Sequence, residues 1–325
     1  MSAPVCSIVI RAYNEEQHIG RLLTGILEQT VQDVQIILVD SGSTDATVSI
    51  ASRFPVDVVH IQPQEFTFGR SLNRGISHAA ADRIVIASAH VYPVYADWLE
   101  KMLAPFADPR IAVTYGPHLG APTSKFSEHM VFRSWFPEKS IAWQDNPFCN
   151  NANAAIRKNL WQEHPYDETL TGLEDLEWAR WAQSKGYGVS FVAEAPIVHV
   201  HHESWAGVKN RYRREAMAFK RIYPEAGFPL PNVFKLFVQN VSTDWAAARK
   251  AGVYREEWRN IMRFRWQQFW GTYHGYRDSK PLTPQLKQTF YYPSESRAVD
   301  RPLRTDVAPI NYQEKDQKSE VKHEG

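Results

Sequence analysis

Short apolar runs alternate with stretches of helical period over the first 120 residues. Residues 5–12 (VCSIVIRA), 34–39 (VQIILV), 56–61, 83–87 (RIVIA) and 111–115 are brief and rich in β-branched side chains. Such runs predict buried parallel strands. Between the first two, Ile19, Leu22, Leu23, Ile26 and Leu27 recur at helical spacing. Asn14 is placed to cap that helix, which is predicted to begin near Glu15. Further helices are predicted over 46–54, 71–80 and 97–106. The turn formers DSGSTD precede the second helix, with Asp45 as its cap and Gly42 allowing a close backbone approach. Strands joined by helices of this length make right-handed βαβ units on a parallel sheet. Ligands of such sheets bind beyond the carboxyl ends of the strands, where AYNEE, DSGSTD and SAHVYP fall.

Residues 122–170 show no clean period and are rich in aromatics. A helix is predicted over 172–185 and a strand over 189–193, followed by the His-rich turn HVHHE. From Trp205 the pattern becomes helical. Trp205, Val208, Tyr212, Ala216, Phe219 and Tyr223 form one apolar stripe; Trp258, Met262, Trp266, Phe269, Tyr273 and Tyr276 form another. Residues 295–325 hold few apolar positions and are expected to lack fixed structure. The expected division is therefore a catalytic domain over 1–204, with halves of about 1–120 and 121–204, a helical extension over 205–294, and a tail over 295–325.

Composition adds a contrast that the pattern hides. The 325 residues carry a net charge of only +1, which argues against a nucleic-acid binder. Yet residues 1–204 hold 15 Lys and Arg against 23 Asp and Glu, while residues 205–280 hold 15 against 6 and include 5 of the 11 tryptophans. The basic helices suit either an anionic membrane surface or packing on the body or a second subunit. Two cysteines, Cys6 and Cys149, exclude a disulfide framework. No run approaches a transmembrane span and the first residues lack a secretory signature, so the expectation is a cytoplasmic protein, with peripheral attachment to the inner membrane left open.

SIVIRAYNEE, VDSGSTDAT, FGRSLNRGISHA leading to IVIASAHVYP, CNNANAAIRK, LTGLEDLEWARWAQSKGYGV and HVHH occur in this order over about residues 5–203. In that order they resemble the family-2 glycosyltransferases, most closely the bacterial rhamnosyltransferase-like enzymes of surface polysaccharide synthesis. The resemblance implies the GT-A fold, an α/β, Rossmann-like nucleotide-diphospho-sugar transferase architecture with a mixed, mainly parallel sheet, here followed by a C-terminal helical extension. It implies a nucleotide-diphosphate sugar donor and a saccharide or lipid-linked saccharide acceptor. Ala12 and Tyr13 would flank the base, Asp40 would accept from a base N–H, and Glu15 would face the ribose. Arg70 and Asn73 would lie toward the nucleotide, Arg70 matching diphosphate geometry; Arg74 suits that role or a solvated helix face.

One motif departs from the family. Relatives close the fourth strand with Asp-x-Asp, which holds Mg²⁺ or Mn²⁺; here Ser88, Ala89 and His90 stand there. His90 remains a candidate ligand, joined by His199 and His201, which alternate as on a strand and face one side. Imidazole suits Mn²⁺ better than Mg²⁺. The alternative is a metal-independent site in which His and Arg stabilise the leaving diphosphate; His202 reads as a surface residue. Asp175 is the expected general base for an inverting transfer, with Glu174 beside it to orient the acceptor; both also suit the first turn of a helix. Asn150, Asn151 and Asn153 offer amides to sugar or phosphate, and Trp135, Trp143 and Trp161 a stacking platform. The lost Asp-x-Asp motivates a second reading, a catalytically reduced sugar-nucleotide-binding or scaffold protein of a polysaccharide assembly complex.

Overall fold

The computed structural model describes residues 3–201, 203–277, 304 and 306–312. The strands are β1 (Cys6–Ala12), β2 (Val34–Asp40), β3 (Asp57–His60), β4 (Arg83–Ser88), β5 (Val91–Pro93), β6 (Ile111–Tyr115), β7 (His118–Gly120), β8 (Ile141–Gln144), β9 (Asn153–Arg157), β10 (Gly188–Phe191) and β11 (Ile197–His199). The helices are α1 (Ile19–Leu27), α2 (Thr47–Ala51), α3 (Phe68–Ser77), α4 (Trp98–Leu103), α5 (Phe126–Trp135), α6 (Lys158–Glu163), α7 (Glu174–Ser184), α8 (Trp205–Ile222), α9 (Leu230–Lys250) and α10 (Tyr254–Tyr276).

Eight strands form one sheet in the order β3-β2-β1-β4-β9-β6-β10-β8. The period-2 alternation fills both faces: Val9, Ile84 and Ile86 face one core, while Ile8, Ile10, Val85 and Ala87 face the other. β1 pairs in parallel with β2 and β4, and β6 with β10. The sheet is mixed and mainly parallel, as the family resemblance implies, with antiparallel pairing at two places. β9 runs antiparallel between β4 and β6, and β8 antiparallel to β10. A second sheet, β5-β11-β7, stands over the carboxyl ends of the central strands, with Val200 N–H donating to His90 O at 3.0 Å.

Residues 122–170 are more regular than their pattern suggests, holding α5, β8, β9 and α6. α5 escapes a periodicity reading because Met130, Val131 and Phe132 are buried in succession, along with Ser127 and Glu128. Asn14 also departs from its expected role. It adopts a left-handed backbone (φ 54°) and its side chain accepts from Thr44 N–H at 2.8 Å, so α1 begins at Ile19 instead.

The C-terminal helices are bolted to the body. Asp244 of α9 accepts from Ser127 of α5 at 2.6 Å and pairs with Arg265 of α10 through both oxygens, all of it buried. Gly271 and Gly275 let α10 close on α8: a Cβ at either would sit 2.4 Å from the Lys209 or Arg213 carbonyl oxygen. Residues 278–294 of the expected extension lie outside the described residues, as does most of 295–325. Where that tail is described, the expectation of no fixed structure is corrected. Arg304 forks onto Asp97, Ile310 N–H donates to Val94 O at 2.9 Å, and Tyr312 donates to Pro93 O.

Candidate active site

A cavity of about 580 Å³ opens beyond the ends of β1 and β4, between the 150–175 segment and α8. Its floor is set by backbone knitting of two loops. Asp45 accepts from Thr47 N–H at 2.9 Å and from Glu16 N–H at 3.0 Å, and Glu16 accepts from Ala46 N–H at 2.9 Å.

One wall carries carboxylates. Glu174 and Asp175 open α7, directly after Leu173, which holds a left-handed backbone (φ 57°, ψ 27°). Arg11 at the end of β1 reaches Glu174 at 3.3 Å, and Asn151 Nδ2 donates to the same oxygen at 3.4 Å. Asp175 accepts one backbone N–H on each oxygen, from Asn151 at 2.9 Å and Leu176 at 2.8 Å. Burial, with the Glu174 charge beside it, nevertheless pushes its carboxyl up to about 7. That is the range in which a carboxylate serves as a base near neutrality.

The facing wall carries imidazoles. The ring of His90 stacks on His199 at 5.0 Å between centroids, and His201 lies 4.0 Å from His199. One ligand atom from each of His90, His199 and His201 falls within 4.8 Å of the others. Glu128, buried on α5, accepts from His201 Nδ1 and from Arg211 of α8, each at 2.7 Å. Burial alone would raise that carboxyl, but Arg211 and His201 hold it down at about 2. Burial pushes His199 and His201 below the ordinary imidazole range.

The three imidazoles fit a divalent cation. The His199 Nε2 atom is buried and lacks a hydrogen-bond partner among the described residues. Zn–N bonds of about 2.1 Å place ligand nitrogens about 3.4 Å apart, so shifts of roughly 1 Å close the set. Glu128, His201 and Glu203 form a second such group, but Arg211 already takes both carboxylates.

Several expected residues are placed elsewhere. Asn153 is fully buried. It accepts from Trp98 Nε1 and donates to Ala195 O, each at 2.9 Å, so it braces the core rather than the ligand. Arg70 pairs with Glu168 at 2.7 Å, and Asn73 binds Tyr166, Glu168 and Trp161; neither lines the cavity. Both tie α3 to the 161–168 segment. Glu15 lines the cavity but accepts from His90 Nδ1 at 2.7 Å. Asp40 accepts from the Gly42 and Ser43 amides and faces His60 at 3.2 Å. Ala12 is buried and Tyr13 is 54% exposed; neither they nor Asp40 line the cavity, nor does Ala89, whereas Ser88 does. The three tryptophans also lie outside it: Trp135 packs on Phe148, Trp143 under Arg110, and Trp161 on Asn73. His202 is outside the described residues.

Residues 7–164 match the model for Glycosyl transferase family 2. The chain carries a family-2 glycosyltransferase domain. Among its relatives are the O-antigen chain rhamnosyltransferases RfbN of Salmonella typhimurium and WbaN of Salmonella anatum. The first is 27% identical over 60% of this chain and 66% of its own length, the second 27% over 54% and 59%. The chain thus spans about three fifths to two thirds of these relatives. The fold neighbours include a mannosyltransferase, PcManGT from Pyrobaculum calidifontis, solved with GDP-Man and Mn²⁺ (TM-score 0.58, 19% identity, 86% of this chain and 89% of that one). S. aureus TarS 1-349 with UDP follows the same fold (TM-score 0.52, 16% identity, 84% and 91%). The architecture is the GT-A fold.

The sequence reading missed Arg11 and Glu128 of this domain, and Arg211 and Arg214 of α8 beyond it. Arg11 and Arg214 both lie over the Phe68 ring, at 4.9 and 4.6 Å. A helix-face signal existed for two of them: Arg211 and Arg214 are three residues apart on α8, and Glu215 of the same helix also lines the cavity. Arg11 and Glu128 gave no such signal: Arg11 ends an apolar strand run, and Glu128 lies in a segment with no clean period. The thiols of Cys6 and Cys149 are free and buried, and burial raises both.

Proposed function

We propose that this protein is an inverting glycosyltransferase that moves a hexose or deoxyhexose from a nucleotide-diphosphate sugar to a saccharide or lipid-linked saccharide of a surface polysaccharide. The observation that carries this reading is Asp175, a carboxylate poised near neutrality and facing a cavity whose other wall is cationic or cation-binding. Its free oxygen lone pairs take the proton of the acceptor hydroxyl. The hydroxyl oxygen then bonds to the anomeric carbon as the bond to the nucleotide diphosphate breaks. Glu174, held by Arg11, orients the acceptor. The likeness to O-antigen chain rhamnosyltransferases favours a surface-polysaccharide acceptor and a deoxyhexose.

His90, His199 and His201 would hold a divalent cation, Mn²⁺ rather than Mg²⁺; when bound it acts as a Lewis acid on the diphosphate. Arg211 holds the imidazole wall in place, and Arg214 adds a guanidinium at the cavity edge. The base and ribose lie toward Tyr13 and Asp40, outside the cavity on the β2 side. Calorimetry with a panel of nucleotide sugars, with Mn²⁺ or EDTA, tests the donor. Binding of one such donor followed by transfer supports the reading. Donor binding with no transfer to any saccharide acceptor would instead support the scaffold reading, which retention of Asp175 disfavours.

The acceptor's carrier side belongs at α9 and α10. Leu230, Phe234 and Val238 are exposed on one stripe of α9, beside a groove of about 470 Å³ lined by Phe237, Trp258, Met262 and Trp266 with Arg259 and Arg263. Among the described residues no helix is long and apolar enough to cross a membrane. Exposed aliphatic and aromatic side chains rimmed by arginines suit the interface of an anionic bilayer. Salt-sensitive co-sedimentation with anionic vesicles, lost in Arg259→Glu/Arg263→Glu, is the expected result. A stable dimer in solution with no vesicle binding would assign the face to a second copy.

A further inference from the structure

Each imidazole of the wall is held at Nδ1 by a different partner. His90 Nδ1 meets Glu15 at 2.7 Å, His201 Nδ1 meets Glu128 at 2.7 Å, and His199 Nδ1 meets His118 Nδ1 at 3.1 Å. A carboxylate only accepts, so His90 and His201 carry their proton on Nδ1 and keep the lone pair on Nε2. His199 shares its Nδ1 with His118, and in the tautomer where His199 donates it reaches the same state. Its own Nε2 is buried and has no partner among the described residues. Three separate elements, the loop after β1, α5 and β7, thus leave Nε2 as the atom each ring offers. One ligand nitrogen from each of the three rings falls within 4.8 Å of the others.

We propose that Glu15, His118 and Glu128 are positioning residues that fix an all-imidazole cation site, and that this site takes an imidazole-preferring transition cation while rejecting Mg²⁺. The proposal rests on the cation reading above and extends it to selectivity. Mg²⁺ demands hard oxygen ligands and sheds water reluctantly, so three nitrogens without a carboxylate offer it little. Nitrogen donors favour Co²⁺, Zn²⁺ and Mn²⁺ instead. Neutral ligands also leave the whole cation charge for the donor's phosphates, which a pair of aspartates would largely cancel.

The test is calorimetry and Co²⁺ absorption spectroscopy on the metal-stripped full chain, with Co²⁺, Mn²⁺ and Mg²⁺ as probes. Co²⁺ should bind one per chain with a ligand-field band, Mn²⁺ more weakly, and Mg²⁺ at least about 100-fold more weakly than Co²⁺. Glu15→Ala and His118→Leu should each weaken Co²⁺ by about 10–100-fold and shift the band, the usual effect of removing such a partner. Glu15→Gln, which still accepts from Nδ1–H, should restore part of the loss. Glu15 is partly exposed and its backbone N–H to Thr47 survives these changes, so the Glu15 variants fold; thermal melting of His118→Leu beside its Co²⁺ titration separates a lost fold from a lost site, since His118 is buried. His90→Asp should move preference toward Mg²⁺. Mg²⁺ binding within tenfold of Co²⁺, or Co²⁺ affinity and spectrum unchanged in Glu15→Ala and His118→Leu, would overturn the proposal and leave the glycosyltransferase reading intact. Transfer that persists in EDTA, with no cation bound at all, would remove the cation from both.

Discussion

Asp175 stands on one wall of the cavity and Glu128 supports the other. Both are shielded carboxylates next to an arginine, yet one is pushed up to about 7 and the other held at about 2. The difference is in the pairing. Glu128 meets Arg211 and His201 at 2.7 Å each, so attraction outweighs burial. Asp175 receives only backbone N–H groups, sits beside a second carboxylate, and leaves Arg11 to Glu174. Burial therefore makes a reactive group where charge is left unmatched, and a brace where it is matched.

The sharpest way to break that comparison is Asp175→Asn. Removing a general base should lower kcat by about 10²–10⁴-fold while donor affinity holds. Wild-type kcat should rise with pH through about 7, as the carboxyl loses its proton. Stability should move the opposite way. The folded carboxyl keeps its proton up to about 7 while the unfolded one releases it near 3.8, so wild-type stability falls as pH rises across that window. The variant should therefore melt higher than wild type at pH 8 and lose that advantage at pH 4. A melting point lower at both pH values would mean that Asp175 is a structural carboxylate after all.

Arg211→Met should do the reverse. It leaves a carboxylate that is 1% exposed with His201 as its remaining partner and no guanidinium, and breaking such a buried ion pair costs about 3–5 kcal/mol. Because the folded Glu128 carboxyl lies below its ordinary 4.5, its contribution is full above that pH and is lost as pH falls toward 2. Denaturant unfolding at pH 7 and pH 3 checks both points: a large loss at pH 7 that narrows at pH 3. A loss below about 1 kcal/mol at pH 7 would show the pair to be solvent-screened, and the contrast with Asp175 would fall.

The two walls also differ in how far they were legible. Glu174 and Asp175 are adjacent in the chain and open a helix, so a local reading finds them. His90, His199 and His201 were found too, as a motif substitution and a strand alternation. Their anchors were not. Glu128 and His118 carry no local motif, and the helix face that Arg211 shares with Arg214 does not say what it meets; only the tertiary fold brings Glu128 to 2.7 Å from His201 and from Arg211, and His118 to 3.1 Å from His199. The parallel strands carried a local signature in their β-branched runs. β9 (NAAIR) did not, because small residues wedged between two strands need no amphipathic pattern. The polar residues expected at the nucleotide mostly became braces: Asn153 was chemically right for a sugar and equally right for an indole N–H.

That substitution of roles has its own test. Asn153→Ala leaves Trp98 Nε1 and the Ala195 carbonyl without partners in a sealed core, about 1–3 kcal/mol for each. Melting should drop by several degrees with donor affinity unchanged. A weakened donor with normal melting would return Asn153 to the ligand side.

The smallest effect is expected at Leu173, the residue that aims the carboxylate wall. Its left-handed backbone costs about 1–2 kcal/mol for a residue with a Cβ. Glycine would release that cost, but Leu173 also packs partly buried against the C-terminal helical core, and losing its side chain forfeits a contribution of similar size. Leu173→Gly should therefore leave unfolding stability within about 1 kcal/mol of wild type. What changes is the hold on the first turn of α7: a glycine there samples more backbone states, so Glu174 and Asp175 spend less time aligned with the cavity. A severalfold loss of kcat with unchanged stability is the expected signature, read from steady-state kinetics beside denaturant unfolding. If stability falls by more than about 2 kcal/mol instead, the left-handed turn is a by-product of packing leucine into the C-terminal core rather than a device for positioning the base.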